Sequence, residues 1–174
     1  IAMGNVIITI ANTERKLLGV GDHKVVVSQV SVESSAQSDE YKDRTPQVKV
    51  VFIGEGDKQT TAWMNLKGYK RFNELSVEDQ ASGDYRASEA GYAVSNETDE
   101  RLESQENTAA ALSILGKLGD DAGLETGKEL SLEQFSKAIT GQEVGIRVGL
   151  NNRGQSRVLF TMKPEQVQAA VAEV

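Results

Sequence analysis

Between Tyr41 and Phe72 (YKDRTPQVKVVFIGEGDKQTTAWMNLKGYKRF) the chain interleaves five aromatic residues with seven Lys or Arg. The whole sequence has only nine aromatics, so this window concentrates them. Aromatic faces stack on bases and neighbouring cations follow phosphates, which is the chemistry of single-strand nucleic-acid binding. The candidate groups here are Tyr41, Lys42, Arg44, Lys49, Trp63, Lys67, Tyr69, Lys70, Arg71 and Phe72.

Trp63 reads either as a core residue covered by another element such as the terminal helix or as a base-stacking group. Strand alternation sets Ala62, Met64 and Leu66 on one face and Thr61, Trp63 and Asn65 on the other, out of phase with the apolar set. Gly68 then allows a turn, after which Tyr69 and Phe72 can share a face beside Lys67, Lys70 and Arg71. A third cationic group lies near the end of the chain. A hairpin turning at Arg153 pairs Arg147 with Leu159 and Arg157 with Gly149, so both arginines lie on one sheet face with glycines between them. Glycine in a strand lets another group approach the backbone.

Catalytic chemistry is poorly represented. The one histidine, His23, follows Asp22 at a strand entrance and reads as a surface or capping residue. No Walker loop, G-x-S-x-G or H-E-x-x-H motif occurs. Gly19 and Gly21 lack the third glycine of a dinucleotide fingerprint. Asp79, Asp84, Asp99 and Glu100 could approach a divalent cation, but no rigid framework is legible around them. The expectation is a protein that is not an enzyme, with no cofactor and no metal.

At 174 residues the chain is expected to form one domain with an appreciable core. It has no cysteine, which excludes disulfides, thiolate metal sites and a cysteine nucleophile. No apolar run approaches the roughly 20 residues of a membrane span. The opening IAMGNVIITIAN is too short and uncharged for a signal peptide, and Met3 reads as the native start. The net charge of −7 argues against nucleic acid until its distribution is considered. Residues 73–107 hold ten acids and two arginines, leaving the remainder near +1. That stretch has no sustained periodicity and reads as an acidic insertion, either a solvated face or a polyanion lying over the cationic groove.

The elements that must position these groups are mostly strands. Lys24–Val32 is β-branched, with Val26, Val30 and Val32 on one face. Gln47–Ile53 is apolar on both faces and reads as an inner strand, with Gly54–Lys58 as the turn into Thr60–Leu66. Thr108–Leu118 predicts a helix, and Ser131 with Gln134 predicts a capping box opening a second. Strands follow at 144–150 and 158–162, and Pro164 opens a predicted terminal helix over 164–174. A short strand at Val6–Ile10 is also expected. The order strand, strand, strand, helix, strand, strand predicts a mainly β fold, an OB-like five-stranded antiparallel barrel. Its core would span about 20–72 and 108–162, and an antiparallel β-sandwich with helical insertions is the alternative.

The layout from GDHKVVVSQV through YKDRTPQVKVVFIGEG and TTAWMNLKGY resembles the single-stranded-DNA-binding proteins of bacteriophage and prophage replication or recombination cassettes. The resemblance resumes at ALSILGKLGDDAGL and LSLEQFSKAITGQEVGIRVGLNNRGQSRVLF, covering about two-thirds of the chain. It is one of layout and texture, with no diagnostic motif. It implies an OB fold that coats single-stranded DNA without sequence preference in a bacterial host cytoplasm, with replication or recombination proteins as partners. The chain departs from that family in carrying its acids internally and not in a terminal tail. A non-catalytic interaction or assembly module is the alternative function, and a homo-oligomer is compatible with either.

Overall fold

The computed structural model describes residues 3–10 and 17–167. In chain order its strands and α-helices are β1 (Gly21–Ser34), β2 (Pro46–Ile53), β3 (Gln59–Asn65), β4 (Gly68–Tyr69), α1 (Val77–Ala81), β5 (Tyr85–Ala87), β6 (Ala93–Ser95), β7 (Glu103–Ser104), α2 (Gln105–Asp121), α3 (Leu132–Ile139), β8 (Glu143–Leu150) and β9 (Ser156–Met162). Five strands form one antiparallel sheet in the order β3-β2-β1-β8-β9. The expected mainly β architecture with helices is present, but the expected closed barrel is not. β3 and β9 are the sheet edges and share no ladder. At the start of β3, Leu17 bridges to Gln59 and the Leu18 amide donates to the Gln59 carbonyl at 3.1 Å, so this segment occupies part of that edge.

The inner face of the sheet is the core. Val27, Val48, Val50, Phe52, Val144 and Ile146 are fully buried there, joined by Leu118 and Ile139 from the helices. Each such side chain contributes about 1.5–3 kcal/mol relative to exposure, so this face fixes which way the strands point. β1 departs from the expected phase. A bulge at Ser28 puts Val25 and Val27 inward before it and Val30 inward after it, while Val26 points out at 40% exposure. An extra unpaired residue in a strand reverses its alternation, so Val26, Val30 and Val32 do not share a face.

α2 starts at the Ser104 cap, whose hydroxyl accepts from the Asn107 amide at 3.2 Å. It ends in a Schellman arrangement: Gly123 adopts φ +85°, its amide bonds Asp120, and the Leu124 amide bonds Gly119. One face of α2 is tied to β9 through buried Asp121, which accepts from Lys117 at 2.6 Å and from the Thr161 hydroxyl at 2.7 Å. α3 opens on the expected capping box, with Ser131 and Gln134 bonding each other's amides at 3.1 and 2.9 Å. Residues 6–10 form no strand, and Val6, Ile7, Ile8 and Ile10 are 61–89% exposed. Pro164–Gln166 form a single 3-10 turn, and the rest of the expected terminal helix, 168–174, lies outside the described residues.

The acidic stretch is built and not irregular. β4 pairs β7, β5 pairs β6, and α1 is capped by Ser76. Its hydrogen bonds and ion pairs run to loop 35–45 and to 67–72.

Candidate nucleic-acid interface

The outer face of the sheet carries the clearest cluster. Thr60, Ala62 and Met64 of β3 point into the core, so alternation turns Trp63 outward, where it is 49% exposed. Lys49 is its cross-strand partner on β2, and the ammonium lies 5.5 Å from the indole centroid. Ser31 of β1 completes that row. Gln47 and Asn65, the next pair, are hydrogen-bonded at 2.9 Å and leave polar groups beside the ring. An exposed indole next to a cation on a rigid strand pair offers a stacking surface and a phosphate contact together.

The other aromatic candidates are engaged elsewhere. Arg101, which the sequence reading did not single out, stands with its guanidinium carbon 4.1 Å from the Tyr41 ring centre and 3.8 Å from that of Tyr69. It also bonds the Asp43 carboxylate at 3.0 and 3.2 Å and the Thr45 hydroxyl at 2.6 Å. Tyr69 in addition meets Tyr92 edge-on at 6.2 Å and accepts from the Thr45 hydroxyl. Burial pushes the Tyr69 phenol above its ordinary range. One face of each tyrosine is therefore covered by Arg101, and neither is a free stacking platform. Arg71 lies over Tyr92 at 4.7 Å and bonds the Ala90 carbonyl, and Phe72 is half-buried in a 3-10 turn.

The cations divide in the same way. Lys42 pairs with Asp99 at 3.4 Å and Lys67 with Glu103 at 3.6 Å, both partners lying in the acidic stretch. Arg86 also holds Asp99, and Arg86 followed by Lys42 keeps that carboxyl below the usual carboxylate range. Exposed pairs of this type contribute only about 0–1 kcal/mol, so phosphate can replace the carboxylate. Arg44, Lys70, Arg153 and Arg157 are exposed and make no ion pair among the described residues.

On β8 and β9 the expected register holds for Arg157 with Gly149 but not for Arg147, which faces Phe160 because Leu159 is bulged out. The glycines are not an open approach. A Cβ at Gly149 would meet Leu159 at 2.6 Å, and one at Gly145 would meet Met162 and Val167 at the same distance. The bulge also turns Thr161 inward and brings Phe160 out, 42% exposed, with Arg147 4.8 Å from its ring. Arg147 bonds Asp22 at 2.6 and 3.0 Å, which holds the Asp22 carboxyl low and the guanidinium pKa high. Arg153 sits on a hairpin turn stiffened by Asn151, whose side-chain oxygen accepts from the Arg153 and Gln155 amides.

The structure thus brings together Lys49 and Trp63 on one face, Arg147 with Phe160 on another strand pair, and Tyr41 with Tyr69 around Arg101. Tyr92 and Phe160 join these groups although only the three-dimensional arrangement marks them out. His23 lies with Nε2 2.6 Å from the Gly19 carbonyl, a local capping contact. Among the described residues no three metal-ligand side chains cluster, and no helix is long and apolar enough to cross a membrane. The chain matches no family model and no curated protein sequence.

Proposed function

We propose that this protein binds single-stranded DNA without sequence preference, through the outer face of β2 and β3. The observation that carries the reading is Trp63, half-exposed on a rigid strand and 5.5 Å from the Lys49 ammonium. The indole stacks on a base and Lys49 meets the adjoining phosphate, a combination that tolerates any sequence because every base has a π-face. Arg44, Lys70, Arg153 and Arg157 are further exposed cations that phosphate can meet, and Lys42 and Lys67 become available by exchanging carboxylate for phosphate.

The sheet order supports an OB-type arrangement. Counting only the main-sheet strands, the third and fifth are the edges, and the helices α2 and α3 fall between the third and fourth. Bringing those edges together would give a partly open five-stranded barrel, whose second and third strands form the oligonucleotide face. The setting that fits is phage-type replication or recombination, where exposed single strands are coated without being cut.

The test is fluorescence anisotropy of labelled oligo(dT) at 50 and 200 mM salt, with a duplex of equal length as control. Single-strand binding that weakens with salt and exceeds duplex binding is expected. Absence of binding at 50 mM would return the protein to the class of interaction or assembly modules.

A further inference from the structure

The outer face of the main sheet carries a second exposed ring beside a cation. Pairing puts Asp22, Arg147 and Phe160 in one row across β1, β8 and β9, and Ser31, Lys49 and Trp63 in another across β1, β2 and β3. Both rows lie on the same side of the sheet. The inward residues of β1 are Val25 and Val27 before the bulge and Val30 after it, so alternation turns Asp22 and Ser31 outward alike. Phe160 is 42% exposed against 49% for Trp63. The Arg147 guanidinium carbon lies 4.8 Å from the Phe160 centroid, a pairing like that of Lys49 with Trp63 at 5.5 Å. Asp22 takes Nε and Nη2 of Arg147, and Nη1 makes no hydrogen bond among the described residues. Arg157, exposed and opposite Gly149, stands in the next outward row.

We propose that Phe160 is a second stacking platform, and that one single strand of DNA crosses the outer face from Trp63 to Phe160. This rests on the reading of Trp63 given above and extends its site beyond β2 and β3. A base stacks on the solvent side of the Phe160 ring, and Arg147 Nη1 and Arg157 meet the flanking phosphates as Lys49 does beside Trp63. The two rows are nine residues apart along β1. At about 3.3 Å per residue along a strand and about 4.8 Å between strands, the surface path from ring to ring is about 35 Å. Of the sheet residues between them on this face, Lys24 is a cation with no ion pair among the described residues, and Glu143, opposite Val26, is an acid. A path of that length takes several nucleotides, within the range of about 4–16 covered by one unit of this binding class.

A 12-nucleotide oligo(dT), about 41 Å long even at about 3.4 Å per nucleotide, reaches both rings. In anisotropy at 50 mM salt, Phe160→Ala should weaken binding of this strand about tenfold, and Phe160→Tyr should restore it. The chain has one tryptophan, so the full-length Trp63→Phe/Phe160→Trp protein moves the indole to β9 and reads out the site even where the alanine variant does not fold. Its emission should be quenched by the 12-mer, with an end point at one strand per protein, as for wild type. Three results would overturn the proposal and leave Trp63 as the platform: wild-type affinity in folded Phe160→Ala, unchanged emission of the double variant while anisotropy reports binding, or an end point at two strands per protein. Absence of binding by the wild-type protein would overturn it together with the reading it rests on.

Discussion

Arg101 bonds both carboxylate oxygens of Asp43, at 3.0 and 3.2 Å, across 58 residues of sequence. The pair is nearly buried, with side chains 7% and 13% exposed, and it fastens the acidic stretch to the loop between β1 and β2. The guanidinium between Tyr41 and Tyr69 makes the same joint a cation–π stack. What the sequence presents as an acidic run is therefore a brace for the loop that enters β2.

Arg101→Ala should lower stability by about 3–5 kcal/mol, because Asp43 is left nearly buried without its partner. Arg101→Lys should recover only part of that, since an ammonium has neither the planar fork nor the stacking face. Urea denaturation followed by circular dichroism measures both. Equal stability of all three proteins would mean the joint contributes nothing.

The division between legible and illegible features follows from period and distance. Alternation set Trp63 on the face opposite Ala62 and Met64 but left open whether another element covers it, while the S-x-x-Q spacing located the start of α3, because both are local rules. The bulges at Ser28 and Leu159 reversed the phase of β1 and β9, and no residue type in those strands announces them. Arg101 was illegible for another reason. Its partners Tyr41, Asp43 and Thr45 lie more than 50 positions away, and one arginine among many acids looks like a solvated residue.

Gly68→Ala should destabilise the protein by about 1–3 kcal/mol or more, as overpacking against backbone does. A Cβ there would lie 2.3 Å from the Asn107 carbonyl carbon and 2.5 Å from its oxygen, and the first turn of α2 cannot rotate away as a side chain could. The Gly68 amide also bonds the Thr108 hydroxyl at 3.0 Å, so displacement costs that bond too. Thermal denaturation of the variant against wild type measures the loss, and an unchanged midpoint would contradict it.

Asp22 has its pKa lowered by its hydrogen bond to Arg147, and Asp99 by Arg86 and Lys42. A carboxyl held low in the folded state adds stability at neutral pH. That contribution is complete above the unfolded value, about 3.9, and disappears as pH falls through the lower folded value. Arg147→Gln should therefore be less stable than wild type at pH 7, and the two should converge toward pH 3. A constant difference across that range would exclude the Asp22 link.

Lys49→Gln should weaken oligo(dT) binding while leaving the fold intact, since Lys49 lies on the outer face of β2. Removing one phosphate contact should reduce the slope of log K against log salt by about 0.7. A weaker complex with an unchanged slope would mean Lys49 supports the indole without touching phosphate.

Trp63 is the single tryptophan of the chain, so its fluorescence reports one position. Titration of the protein with unlabelled oligo(dT) at 50 mM salt should quench that emission to saturation, in step with anisotropy of the labelled strand. Trp63→Ala should then bind more weakly by about 1–3 kcal/mol, the worth of one stacked base. Binding by anisotropy with unchanged indole emission, and with full affinity in Trp63→Ala, would contradict the account.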